Sequence, residues 1–243
     1  MRLSMSMFSD MLADAASLIF PRRCPVCGGA MARGGMVCTL CELTAPLTGL
    51  WSEAGNGMAQ RFWGMLPVEH ASAFLWYVEG SPWCAAVHRF KYGGEWRTAY
   101  SLGRWYGALM KESGLYDGVD VAVPVPLHYR RLLGRGYNQA EYVAEGIARE
   151  LGIGVDRTGV RRHRYNRSQT TRSKHERWDN VEGIFSVRRP EALAGRHLLL
   201  VDDVFTTGAT VMSLGSAIIE AVPDVRLSVA VLAATRRSAG QEP

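Results

Sequence analysis

The sequence predicts an α/β fold: a parallel sheet core flanked by helices, with a small cysteine-rich unit ahead of it. Three observations carry this. Leu198 to Val201 are four aliphatic residues in a row, which suits a strand covered on both faces. Two further strand-like runs, Val119 to Val123 and Val225 to Ala233, are separated from it by helix-compatible stretches such as 138–151 and 211–221. Four of the five cysteines fall into two C-x-x-C pairs near the N-terminus. At 243 residues the chain suits one medium domain with an appendage.

Residues 1–20 read as an amphipathic helix, because Phe8, Met11, Leu12, Ala15 and Ile19 recur at helical spacing. Asp10 and Asp14 interrupt any apolar signal-peptide core, and no run of eighteen apolar residues predicts a membrane span. A cytoplasmic location is therefore expected. Pro21 closes the helix. Residues 21–50 then hold Cys24, Cys27, Cys38 and Cys41, with ten residues between the pairs. Each C-x-x-C turn offers two sulfurs on one side of a tight bend, so four thiolates around Zn2+ in a small ribbon are expected. Metal binding would supply the folding free energy that so short a segment lacks. Disulfides are disfavoured in a cytosolic compartment, and redox C-x-x-C motifs come singly on a βαβ frame. Cys84 stands alone and reads as a small buried residue.

Residues 51–118 form a linker and a hood segment. Residues 42–70 lack periodicity and read as a loosely packed linker. A strand-like run follows from Ala71. Two helices then flank the Gly93-Gly94 break, with Lys91 in the first as a snorkelling surface lysine. The core is placed at 119–237. After its first strand, Arg130, Arg131 and Arg135 cluster beside Gly134 and Gly136 in a loop at the carboxyl edge of the sheet, where open α/β folds bind ligands. Guanidinium groups suit phosphate oxygens. Asn138 caps the helix that follows.

Charge is concentrated. The chain is +5 overall, yet from Arg130 to Arg177 twelve Lys/Arg face five Asp/Glu, so the remainder is slightly negative. Such a segment suits a polyanion: pyrophosphate, nucleotide or nucleic acid. Its middle, between strand-like ends at Val155–Gly159 and Gly183–Val187, has no hydrophobic period and reads as a binding loop or lid. Arg162, Arg164, Arg167, Gln169, Arg172, Lys174 and Arg177 are its candidate contacts. With Tyr165 and Trp178 interleaved, the same residues suit single-stranded DNA, by charge and stacking.

The densest motif is His197 to Thr210, HLLLVDDVFTTGAT. The strand delivers Asp202 and Asp203, and Thr206, Thr207, Gly208, Ala209 and Thr210 lead into a helix. Free amides of a first helical turn and its dipole favour a phosphate, and Gly208 allows close approach. Two carboxylates would repel a phosphate alone. The ligand should therefore also present hydroxyls or a metal to them, and a ribose 5-phosphate does so.

This run resembles the phosphoribosyl-pyrophosphate (PRPP) signature of type I phosphoribosyltransferases, departing from it at Phe205, where an aliphatic residue is usual. The wider set of landmarks resembles the competence protein F (ComF) family: the paired C-x-x-C, the FKY segment, PVP followed by RRLLGRGYNQ, RSQTTRSKHERWDNVEGIF, and LLLVDDVFTTGAT. The resemblance implies a type I phosphoribosyltransferase-like core behind a zinc ribbon. It implies Asp202 and Asp203 on the ribose hydroxyls as catalytic residues, residues 206–210 on the 5′-phosphate, and Arg130, Arg131 and Arg135 with Mg2+ at the pyrophosphate. It implies a lid closing over PRPP. Two functions follow: a phosphoribosyltransferase acting on an unidentified base or amine, or a non-catalytic PRPP-binding accessory of the DNA-uptake machinery that holds single-stranded DNA. Assembly into a homo-oligomer is left open.

Overall fold

The computed structural model of the chain describes residues 23–31, 35–163 and 183–240. The expected N-terminal helix, and the lid contacts Arg164, Arg167, Gln169, Arg172, Lys174 and Arg177, lie outside the described residues. Among those described, no helix is long and apolar enough to cross a membrane.

The core is a five-stranded parallel sheet in the order β1-β7-β6-β2-β3, built from Val68–Trp76 (β1), Val121–Pro124 (β2), Gly154–Val155 (β3), His197–Phe205 (β6) and Arg226–Ala234 (β7). A separate antiparallel pair, Val160–Arg162 (β4) and Phe185–Val187 (β5), brackets the basic segment. The described helices are Thr39–Leu43 (α1), Gly57–Gln60 (α2), Pro82–Tyr92 (α3), Trp96–Ser113 (α4), Tyr129–Arg135 (α5), Gln139–Leu151 (α6) and Ala209–Ala221 (α7). The sheet thus recruits β1 from the stretch read as hood.

The uninterrupted apolar run in β6 has the expected cause. Leu198 and Leu200 pack with Leu214 and Ile218 of α7, while Leu199 and Val201 pack with Leu102, Tyr106, Val143 and Ile147 on the other face. Burying four such side chains stabilises the fold by roughly 1.5–3 kcal/mol each. Helices α4 and α6 lie backbone to backbone: a Cβ on Gly146 would stand 2.4 Å from the Tyr100 carbonyl oxygen. Their close approach lets that helical layer cover the whole face. Inside it, the Ser72 hydroxyl bonds both Tyr106 and Tyr116 hydroxyls at 2.6 Å, so the buried phenols are satisfied.

One expectation fails here. Residues 51–70 are not loosely packed: Trp51, Met58, Ala59, Phe62 and Leu66 are buried. Asn56 fastens this cover, donating to the Leu50 and Ala71 carbonyls at 2.7 and 2.9 Å and accepting from the Met58 and Ala59 amides. The anchors sit on single helical turns, Trp51 in a 3-10 turn and Met58 and Ala59 in α2, or just after them. No hydrophobic period betrays them.

Candidate phosphoribosyl site

Parallel strands deliver their C-terminal ends to one edge, and three of them end in chemistry. After β1 the chain enters α3, after β2 it enters α5, and β6 carries the acid pair. Strand β6 runs past Val201 to Phe205, so Asp202 and Asp203 sit within its last turns, with Asp202 paired to Val231 in register. Neighbouring residues on a strand point to opposite faces, which aims the two carboxylates to different sides. Asp202 Oδ1 accepts from the Asp203 amide at 2.8 Å. Burial, then the Asp203 charge, pushes the Asp202 carboxyl up to about 7.

The loop after the strand turns at Gly208, whose φ of +78° favours glycine, and α7 starts at Ala209. Thr207 Oγ1 accepts from the Ala209 amide at 3.4 Å. A Cβ on Gly208 would stand 2.6 Å from the Phe205 ring. That ring is buried, packs on Phe62 at 5.8 Å between centroids, and its carbonyl accepts from Ser238 Oγ at 3.0 Å. The aromatic residue at position 205 is therefore accommodated by Phe62 from the cover segment.

The arginine loop is a helix, which corrects the reading of residues 130–135. His128 accepts from the Arg130 amide at 3.3 Å as N-cap, and Gly136 at φ +83° ends α5. Gly134, taken as a loop residue, falls in the last turn. Burial, with the surrounding arginines, holds the His128 imidazole below its ordinary range, so it caps as a neutral ring. Arg130 and Arg131 remain at the edge. Arg135 turns toward α3 and α6, bonding Gln139 Oε1 at 2.5 Å and lying 5.0 Å over the exposed Tyr92 ring. Arg162, at the root of the basic segment, is half-buried over Phe185, with the Arg131 and Asp202 charges both acting on it.

Lys91 is the residue the sequence reading missed. It reads as a solvated lysine, yet its Nζ lies 3.2 Å from Asp203 Oδ2, with both side chains 19% exposed. The available signal was the FKY landmark itself.

The four cysteines converge, their Sγ atoms all within 4.8 Å of one another. Tetrahedral zinc thiolates would need S–S separations of roughly 3.8 Å, and Cys27 and Cys38 already stand at 3.6 Å. The Cys38 amide donates to Cys24 Sγ and the Gly29 amide to Cys27 Sγ, both at 3.4 Å, as suits thiolates. Burial opposes ionisation at Cys24, but backbone amides of Cys27 and Cys38 outweigh it and bring the thiol down to about 7. The donor set fits a soft or borderline divalent metal.

The family described as phosphoribosyl transferase domain matches residues 138–243, a span that holds the acid pair and the threonine loop. DNA utilization protein YhgH of Escherichia coli K12 is 30% identical over 141 residues, covering 57% of this chain and 61% of that protein. Competence protein F of Haemophilus influenzae is 29% identical over 138 residues, covering 55% and 59%. Over these spans the chain is similar to DNA utilization and competence proteins. Competence protein ComFC of Bacillus subtilis is 34% identical over 100 residues, covering 41% of this chain and 38% of that protein. The alignments span about three fifths of the first two relatives. Together with the five-stranded parallel sheet and the four-cysteine cluster, they bear out the resemblance and the fold class read from the landmarks. Lys91 and the cysteines lie outside the matched domain.

Proposed function

We propose that the chain binds PRPP with Mg2+ at this edge of the sheet and transfers its phosphoribosyl group to a base or amine. The observation that carries the reading is the meeting of an acid pair, a threonine loop at a helix N-terminus, and cations from two other strand ends. The ribose hydroxyls are read onto Asp202 and Asp203. The 5′-phosphate is read onto Thr206, Thr207, Gly208, Ala209 and Thr210, and the pyrophosphate onto Arg130, Arg131 and Arg135. A divalent cation supplies neutralising charge to the leaving group. The bond from C1 to the pyrophosphate oxygen breaks with its electron pair, the acceptor nitrogen bonds C1, and the acceptor's proton is released. The acid pair favours the positive charge that develops on the sugar. The four cysteines are read as a structural zinc ribbon, and reduced thiols of this kind favour a cytoplasmic setting.

The names of the relatives, with Arg135 over Tyr92, Arg97 over Trp96 and Arg130 over Tyr129, favour a second reading: a PRPP-binding accessory of DNA uptake that also stacks single-stranded DNA.

Saturating PRPP with Mg2+ is expected to raise the melting temperature by roughly 5–10 °C at a hundred times Kd. Asp202→Ala and Asp203→Ala should each erase that shift. A wild-type chain that ignores PRPP would reject both readings. Pyrophosphate release against a panel of bases and amines then separates them, since the accessory would release none. DNA held through the arginines would instead dissociate steeply as salt rises.

A further inference from the structure

We propose that Lys91 is a third charged member of the phosphoribosyl site: a ligand-binding cation that holds Asp203 in the empty site and passes to a ligand phosphate oxygen when a sugar hydroxyl takes Asp203. This rests on the reading of the edge as a PRPP site and adds to it a residue from outside the matched domain.

The first support is the fixing of the backbone that carries it. The last turn of α3 is gripped from two sides. Arg89 Nη2 donates to the carbonyls of Pro25 and Val26, at 2.8 and 2.7 Å, inside the first cysteine knuckle. From the other side the Tyr137 hydroxyl donates to the Phe90 carbonyl, and Gln139 Nε2 donates to the Lys91 carbonyl at 3.5 Å. Arg135 lies over Tyr92. A lysine that merely covers surface needs no such anchoring. Here the main chain is pinned between the knuckle and the start of α6, so motion is left to a four-carbon side chain. Such a chain can re-aim its ammonium by several ångströms without disturbing the fold.

The second support is charge. Two adjacent carboxylates must receive a ligand that is itself a polyanion. Their mutual repulsion is relieved in the empty site by the Lys91 ammonium at 3.2 Å, in a setting that is largely shielded from water. When a neutral hydroxyl replaces it on Asp203, the ammonium is released beside the bound ligand, whose phosphate oxygens are the nearest new acceptors. At each stage the carboxylate keeps a donor and the ammonium keeps an anion. A carboxylate with neither cation nor donor, or an ammonium without an anion, would be costly at this burial.

Calorimetric titration of PRPP with Mg2+ into the full chain tests this. Lys91→Met is expected to weaken binding about tenfold or more, with a steeper Mg2+ dependence as the cation takes over the missing charge. Lys91→Arg should lose less than Lys91→Met. Arg89→Gln should weaken binding by roughly threefold while the metal content of the cysteine cluster stays at the wild-type level, since only the anchor of the turn is lost. Lys91→Gln replaces the methionine variant if that one fails to fold. A purely structural ion pair predicts a lower melting temperature with unchanged affinity, and a lysine that only competes with the ligand for Asp203 predicts tighter binding. Either result for Lys91→Met overturns the proposal. If the wild-type chain itself gives no PRPP heat, the site reading fails and Lys91 loses its role with it.

Discussion

Strand β6 begins on a buried histidine and carries a half-buried acid pair toward its other end, and the two meet different surroundings. At its start, His197 is almost fully buried, and its amide donates to Asp120 Oδ2 at 2.7 Å. Ser228 Oγ accepts from the His70 amide at 3.2 Å and lies 2.9 Å from His197 Nε2. The other ring nitrogen, Nδ1, is buried 3.6 Å from Glu69 Oε2, beyond hydrogen-bond reach, and finds no hydrogen-bond partner among the described residues. Burial, the largest influence, holds this imidazole below its ordinary range, while the Glu69 charge pulls it the other way. At the other end burial also disfavours charge, but an acid that cannot ionise cheaply beside a second acid is left wanting a cation or hydroxyl donors. The lesson is that burial alone does not mark a binding site. What marks it is such a group at the carboxyl edge of the sheet, where a ligand can reach it.

The sharpest way to break this comparison is to damage the end that lies away from the site. His197→Ala removes packing and leaves Ser228 without its partner, at a cost of about 2–4 kcal/mol. For a chain of this size that lowers the melting temperature by roughly 5–15 °C. The PRPP-induced shift should survive in the folded fraction. A folded His197→Ala chain that had lost its PRPP response would mean that the two ends are coupled and the contrast is false.

The two ends also differed in how readily the sequence disclosed them. Asp202 and Asp203 were legible because a run of four aliphatic residues, two acids and a threonine-glycine loop are all local, and each step has a physical reason. The strand in front of them was legible for the same reason. Lys91 was not, since its meaning depends on where α3 is carried by β1 and on a grip from Arg89 to a knuckle far away in sequence. The helical state of residues 129–135 was hidden by two glycines, one of which serves as its C-terminal stop. His197 offered no signal whatever: beside LLLV it is one polar residue, and only the register of β6 against β7 brings it to Ser228.

A gentler perturbation works on the other end. Asp202 in the fold has its carboxyl raised to about 7, above the usual carboxylate range. A raised acid burdens the folded state only where the unfolded chain would be ionised. The burden is therefore absent below about pH 4, grows from about pH 4 to 7, and is constant above. Asp202→Asn removes it. The variant should match wild type near pH 4 and exceed it above pH 7, by a few degrees, on the order of 1–3 kcal/mol. His197 runs the other way: its lowered range means that its contribution is complete above about pH 6.5 and is lost as the pH falls through the folded value. Melting curves from pH 4 to 8 on wild type and Asp202→Asn separate the two slopes. If the difference between them were flat with pH, Asp202 would not be the strained acid described here.

The smallest effect concerns the rim of the His197 end. Arg226 Nη1 lies 3.5 Å from Glu69 Oε1, but its side chain is about half exposed and Glu69's is more than a third exposed. Exposed pairs contribute roughly 0–1 kcal/mol, because water screens them and two long side chains must be held in place. Arg226→Gln should therefore shift the melting temperature by no more than about 2–3 °C. It also removes a positive charge that helps keep the neighbouring imidazole neutral. Wild type and variant should accordingly converge or cross as the pH falls below the ordinary imidazole range, where His197 would gain its proton more easily in the variant beside Glu69. A loss as large as that of His197→Ala would place the exposed pair, rather than the buried ring, at the centre of this network.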